Sequence, residues 1–172
     1  MIERISKAVR DVPGFPKPGI VFKDITPVLA DPALLKGLID TLAGRYASQR
    51  IDYVAGIESR GFILAAPVAA ALAAGFVPIR KKGKLPREVY REEFQLEYGT
   101  DVIELHQDAF PAKSRVLLLD DVLATGGTAA AAIRLIERAG AQVAGVAFMI
   151  ELGFLDGRSK LGGKDIHALI RY

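Results

Sequence analysis

Val116-Leu117-Leu118-Leu119-Asp120-Asp121-Val122-Leu123-Ala124-Thr125-Gly126-Gly127-Thr128 is the stretch on which the fold turns. Its four leading apolar residues read as a strand covered on both faces, as in a parallel sheet packed by helices. They deliver two adjacent carboxylates to a loop over residues 120–127. A helix is predicted from there over residues 128–139, with Gly140 placed to end it, and residues 143–150 read as the next strand. A second unit of the same kind lies upstream: the strand Tyr53-Val54-Ala55-Gly56-Ile57, the loop Glu58-Ser59-Arg60, then an alanine-rich helix. Strands alternating with helices predict an α/β fold with right-handed crossovers. Ligands in such folds bind beyond the carboxyl ends of the strands, and both loops lie there.

The flanking segments are read in the same way. Ile2, Ile5, Val9 and Val12 fall at helical spacing and predict an amphipathic first helix. Pro13, Pro16 and Pro18 then stop it and force an extended loop. Residues 34–46 read as a second helix, entered through Asp31-Pro32. Residues 61–79 carry no charged side chain and approach the length of a membrane span. They are mostly alanine, however, and are interrupted by Pro67, Gly75 and Pro78, so a buried helix, a turn and a buried strand are expected instead. Residues 84–99 read as a long excursion with a hairpin at its base, and Val102-Ile103-Glu104-Leu105 as a short strand. Loops of that length in compact domains are usually functional or mobile.

Composition narrows the function. The 172 residues suffice for one domain with its own core. The absence of cysteine excludes disulfides and thiolate metal sites and suits a reducing, cytoplasmic setting. The two histidines, His106 and His167, lack metal-ligand spacing and read as ordinary surface or packing residues. A net charge of +3 suits anionic substrates but is too small to demand nucleic acid. The opening Met-Ile-Glu-Arg-Ile-Ser-Lys lacks the apolar core of a signal peptide. Neither a membrane nor a nucleic acid is an expected partner.

Thr125, Gly126, Gly127 and Thr128 suit a phosphate dianion. Glycines admit close backbone approach, while hydroxyls and N–H groups face the ligand at the positive end of a helix. The acidic pair repels phosphate and so must serve another group. Asp120 and Asp121 can accept hydrogen bonds from a ribose diol or hold hydrated Mg²⁺ near a pyrophosphate. The loop therefore calls for one molecule bearing both a phosphate and a ribose diol. It is neither a Walker loop nor a Gly-x-Gly-x-x-Gly turn. A bare Gly-Gly would be only a tight turn, but the full thirteen residues resemble the phosphoribosyl-pyrophosphate signature of the type I phosphoribosyltransferases.

That resemblance implies a type I phosphoribosyltransferase fold: a central, mostly parallel sheet flanked by helices, in a single domain over residues 1–172. An N-terminal base-recognition hood (1–33) and a mobile lid loop (84–99) go with it. It implies that Asp120, Asp121, Ala124, Thr125, Gly126, Gly127 and Thr128 bind phosphoribosyl pyrophosphate. Mg²⁺ is expected as cofactor, met by the two aspartates through water while the substrate supplies direct ligands. Glu58, Ser59 and Arg60 form the family's pyrophosphate loop, with a non-proline cis peptide at Glu58-Ser59. By itself Arg60 reads equally as a solvated loop arginine. Arg80 and Lys84 belong to a basic run that reads either as a solvated face or, by resemblance, as facing pyrophosphate, with Lys84 reaching in from a dimer neighbour.

Phe15-Pro16-Lys17-Pro18-Gly19-Ile20-Val21-Phe22-Lys23-Asp24-Ile25-Thr26-Pro27 reads either as a hydrophobic clasp or as a base-stacking platform. It resembles a hallmark of the adenine phosphoribosyltransferases. In that family the residue matching Phe22 stacks on adenine, those matching Val21 and Lys23 read its edge through backbone groups, and that matching Leu155 closes the other face. Glu97-Tyr98-Gly99 resembles the family's Glu-Tyr pair. Glu97 is then the group that takes or relays the adenine N9 proton, or else an exposed glutamate beside a packing tyrosine. The implied reaction joins adenine to 5-phosphoribosyl-1-pyrophosphate, giving AMP and pyrophosphate, in a homodimer, with Glu97, Arg60 and Asp121 as catalytic groups. Two rivals stand beside it. One is an enzyme of the same class for hypoxanthine or xanthine. The other is a non-catalytic sensor of the kind joined to a DNA-binding winged helix, for which 172 residues are expected to leave no room.

Overall fold

The computed structural model describes residues 1–95 and 99–172. They form two compact units, Met1–Thr41 and Leu42–Tyr172. The first opens with α1 (Ile2–Ala8) and an antiparallel ribbon of β1 (Arg10–Pro13) and β2 (Val21–Asp24). The first helix is thus shorter than its periodicity suggested. Val12 lies in β1 opposite Phe22, because the residue before a proline is pushed out of the helical region and a β-branched side chain fits the strand. The loop between the strands closes through Gly14 N–H donating to the Ile20 carbonyl at 2.7 Å. A short helix α2 (Thr26–Ala30) follows, which the sequence did not announce. Asp24, just ahead of its N-cap Ile25, braces the first turn by accepting from Thr26 N–H and Oγ1, each at 2.9 Å. α3 (Pro32–Tyr46) begins where Asp31-Pro32 predicted. Asp31 Oδ1 accepts from the N–H groups of Ala33 and Leu34 at 2.8 and 3.0 Å, and Pro32 fills the first helical position, where no donor is needed.

The second unit contains, in chain order, β3 (Tyr53–Ile57), α4 (Arg60–Ala71), β4 (Gly75–Lys81), β5 (Val89–Gln95), β6 (Thr100–His106), β7 (Arg115–Leu123), α5 (Gly127–Arg138), β8 (Gln142–Glu151), two 3₁₀ turns (Gly153–Leu155 and Gly157–Lys160) and β9 (Ile166–Arg171). The strands make one seven-stranded sheet in the order β5-β6-β4-β3-β7-β8-β9. β4, β3, β7, β8 and β9 run parallel, while β6 and β5 are antiparallel at one edge. β7 lies near the middle, and Val116, Leu117, Leu118 and Leu119 are fully buried. Val116 and Leu118 join the core under α5, together with Ile133 and Ile136; Leu117 and Leu119 point to the other face by strand alternation, where α4 packs. The uncharged stretch 61–79 is α4, a turn and β4, as expected, and among the described residues no helix is long and apolar enough to cross a membrane.

Two differences from the sequence reading bear on the site. β7 does not stop at Leu119 but continues to Leu123, because β8 runs alongside and pairs Asp120 with Phe148 and Leu123 with Glu151. The acidic pair therefore sits on a strand rather than in a loop. Within residues 84–99, Val89–Gln95 also form a strand rather than a loop. The hairpin pairs continuously from Val89↔His106 to Gln95↔Thr100. β5 is fastened to α5 by buried Phe94, by an Arg134 Nε–Glu92 ion pair at 2.9 Å and by the Arg138 guanidinium 4.6 Å above the Tyr90 ring. Tyr90, Glu92 and Phe94 share the face toward α5, while Arg91 and Glu93 lie on the other, which is strand patterning on a half-covered edge.

Gly56 sets how closely α4 approaches the sheet, since a Cβ there would lie 2.7 Å from the Ala65 Cβ and 3.0 Å from the Phe76 ring. Gly56→Ala should therefore destabilise the fold by about 1–3 kcal/mol, the usual range for overpacking a core, read as a lower denaturation midpoint at unchanged slope.

Candidate active site

β3 and β7 are parallel neighbours, with Gly56 opposite Leu119, so the segments leaving their carboxyl ends lie side by side. Arg60, the first residue of α4, reaches across to Asp121, with Nε 2.7 Å from Oδ2. The Asp121 side chain is only 6% exposed, so its charge requires a partner close at hand. Gly61 makes this approach possible: a Cβ there would lie 2.7 Å from Asp120 Oδ1 and 3.1 Å from the Leu119 carbonyl. Burial, and after it the charge of Asp121, pushes the Asp120 carboxyl well above the usual carboxylate range. Burial also raises Asp121, against the opposing pull of Arg60. Two adjacent acids with an arginine beside them are thus poised to receive more positive charge or hydrogen-bond donors.

Asp120 faces the other side of β7. It borders a cavity of about 140 Å³ lined also by residues 124–126, Thr128 and Phe148. This is the loop the sequence marked for phosphate. Gly126 adopts φ +80° just before α5, a left-handed conformation natural to glycine. The N–H groups of the first turn of α5 are then presented at the positive end of the helix dipole. Asp120, Ala124, Thr125, Gly126 and Thr128 accordingly surround one space, and Gly127 adjoins it.

The upstream loop carries the Glu58-Ser59 peptide in the cis form. Glu58 Oε2 accepts from Arg80 Nε at 3.2 Å and from the Lys81 N–H at 3.0 Å. Burial raises its pKa, but the Lys81 and Arg80 hydrogen bonds outweigh that, leaving it below the usual value and ionised. Arg80 also donates from Nη1 to the Lys84 carbonyl at 3.1 Å, while the Lys84 side chain is exposed. Glu58 is therefore the residue that aims Arg80, a role its sequence position did not announce. Ser59 is the N-cap residue of α4.

Val21, Phe22 and Lys23 form the body of β2 in the first unit. Phe15 packs edge-on against Phe22, with centroids 5.2 Å apart, and Lys23 Nζ pairs with Asp11 at 2.7 Å. Val21 is 48% exposed. Leu155 sits in the second unit at the end of the Gly153–Leu155 turn, 39% exposed. Glu97 and Tyr98 lie outside the described residues.

One part of this region went unread in the sequence. Glu151 closes β8 and forms a two-pronged ion pair with Arg158, at 2.8 and 2.6 Å. The available signal was a carboxylate ending an apolar strand, which requires a cation close by.

The chain matches the family model described as phosphoribosyl transferase domain over residues 24–169. A relative, the adenine phosphoribosyltransferase of Thermobifida fusca (strain YX), is 57% identical over 165 residues, covering 96% of this chain and 94% of its own length. The crystal structure of adenine phosphoribosyltransferase from Thermoanaerobacter pseudethanolicus superposes with a TM-score of 0.97 at 48% identity over the whole of both chains. The APRTase of Giardia lamblia complexed with 9-deazaadenine superposes with a TM-score of 0.95 at 40% identity, covering 99% of this chain and 97% of that one.

An acid whose pKa is raised on folding opposes the folded state at every pH above its unfolded value, and the cost grows until the pH passes the folded value. Asp120→Asn should therefore raise the Tm relative to the parent at pH 8, and that advantage should shrink toward pH 4. The same variant should bind phosphoribosyl pyrophosphate about tenfold or more weakly, as expected for losing a charged hydrogen-bond acceptor. Melting curves at the two pH values and a binding titration check both outcomes.

Proposed function

Because the chain belongs to the phosphoribosyltransferase family, and within it to the adenine phosphoribosyltransferases, we propose that it joins adenine to 5-phosphoribosyl-1-pyrophosphate, yielding AMP and pyrophosphate in purine salvage. The observation that carries this reading is the cavity at the end of β7, where the half-buried Asp120 carboxylate and a glycine-opened helix N-terminus face the same space. Few ligands other than a phosphorylated ribose offer such a site both a dianion and a diol.

The chemistry distributes over this chain as follows. Residues 124–128 hold the 5′-phosphate, and Asp120 accepts from the ribose hydroxyls. Asp121 holds Arg60 at the adjoining loop, where Arg60, Ser59 and Arg80 meet the departing pyrophosphate, with Lys84 reaching in from a neighbouring copy. As the bond to pyrophosphate breaks, the sugar gains oxocarbenium character, and the paired acids stabilise that positive charge. Phe22 stacks on adenine, backbone groups of Val21 and Lys23 read its edge, and Leu155 covers the other face. Glu97 accepts the N9 proton, and Tyr98 joins the residues that bind substrate. Among the described residues no three His, Asp or Glu side chains gather into a metal site. The two raised carboxyls nevertheless favour an added cation, so the fit is to Mg²⁺ carried mainly by substrate oxygens, with Asp120 and Asp121 meeting its water shell. Bound there, Mg²⁺ would neutralise the leaving pyrophosphate.

A cytoplasmic homodimer completes the proposal. The cysteine-free sequence supports the reducing setting. In the second unit, Ile63 and Phe76 are exposed at 46% and 37%, and Phe76 packs edge-on against Phe62, which supports a second copy seated on α4.

A panel of adenine, hypoxanthine, guanine, xanthine and orotate, each with phosphoribosyl pyrophosphate and Mg²⁺, should give a nucleotide at a substantial rate from adenine alone. Comparable turnover of hypoxanthine or guanine would leave the reaction class standing and remove the specificity. Excess EDTA should abolish turnover, and Mg²⁺ or Mn²⁺ should restore it; full activity in EDTA would remove the metal from the mechanism.

A further inference from the structure

The phosphate loop has a back wall made of backbone. A Cβ on Gly126 would strike the Gly157 carbonyl group, and a Cβ on Gly157 would strike the Ala124 carbonyl and lie 3.1 Å from the Gly126 nitrogen. Two glycine backbones are therefore pressed together, and the nearest side-chain atom, Leu123 Cδ1, would itself lie 2.9 Å from a Cβ on Gly157. Gly157 opens the short 3₁₀ turn Gly157–Lys160, and a turn of four residues holds no position on its own.

What holds it is Arg158. Its guanidinium grips Glu151 with both prongs, Nε to Oε1 at 2.8 Å and Nη2 to Oε2 at 2.6 Å. Its remaining nitrogen, Nη1, donates to the Ile166 carbonyl on β9 at 3.1 Å. Arg171 Nε approaches Glu151 Oε1 at 3.6 Å. The Glu151 side chain is 4% exposed, and its place opposite Leu123 puts it beside the end of β7. The hydrogen bond from Arg158 outweighs burial and keeps the Glu151 carboxyl below its usual pKa, so the pair stays charged. A paired fork of this kind fixes direction as well as distance.

We propose that Arg158, locked by Glu151, is a positioning residue for substrate: through Gly157 it holds residues 124–126 in the conformation that receives the 5′-phosphate. This rests on the reading of residues 124–128 as the phosphate loop. Arg158 touches no reacting atom, so its loss acts on ground-state binding of the phosphorylated sugar more than on the chemical step.

The test compares the parent with Arg158→Met, Arg158→Lys and Gly157→Ala. Three readouts are taken: KM for phosphoribosyl pyrophosphate, kcat, and the affinity for ribose 5-phosphate by calorimetry, which needs no turnover. Arg158→Met should raise that KM and weaken ribose 5-phosphate binding by about tenfold, the usual loss of a charge-assisted hydrogen bond, with a smaller change in kcat. Arg158→Lys, which keeps the charge but loses the fork, should recover part of the affinity. Gly157→Ala, which displaces the loop while leaving the ion pair intact, should reproduce the binding defect and stand in for Arg158→Met if that variant does not fold. Variants that melt earlier yet bind ribose 5-phosphate as the parent does would overturn the proposal and make the pair a fold staple. A parent that neither makes AMP nor binds ribose 5-phosphate would instead overturn the functional reading beneath it.

Discussion

Burial of β7 on both faces is the constraint from which the second unit's site follows. Val116, Leu117, Leu118 and Leu119 must be covered by α5 on one side and α4 on the other, and parallel neighbours must satisfy their backbone groups. Once that is met, the next two residues have no freedom of place. Asp120 continues the face that leads to the α5 N-terminus, and Asp121 the face that leads to Arg60. A period of two separates the two carboxylates into different jobs although they are adjacent in sequence.

The electrostatics follow from the same edge. Acids at the end of a buried strand are desolvated, and the fold answers each with an arginine on a neighbouring segment: Arg60 for Asp121, Arg80 for Glu58 and Arg158 for Glu151. These pairs are worth little as stability, since desolvation offsets attraction. Their value lies in direction. Each fixes where a guanidinium or a loop points before substrate arrives, so less ordering remains for the binding step.

Glycines do the corresponding work for the backbone. Gly61 lets the first turn of α4 reach the end of β7, and Gly126 with Gly157 lets two loops meet without an intervening side chain. A site that must present N–H groups to phosphate has to expose main chain, and main chain can be approached closely only where Cβ atoms are absent.

The β3–α4 and β7–α5 units with β8, the glycine turn between β7 and α5, the Asp31-Pro32 helix entry and the helix–turn–strand reading of residues 61–79 were legible in the sequence, because each depends on neighbours within a turn or a strand. Burial period, capping and glycine turns are local physics. Where Asp120 and Asp121 belong was not legible: whether a strand ends at Leu119 or Leu123 is decided by how far β8 runs beside it. Residues 84–99 were read as a loop because charged residues dominate them. Val89–Gln95 among them become a strand because Phe94 and Tyr90 find α5, a contact made only in three dimensions. The pairings of Arg60 with Asp121 and of Arg158 with Glu151 were likewise settled by tertiary structure. An ion pair is chosen by distance in space, and the sequence states which charges exist but not which of them the sheet brings within reach.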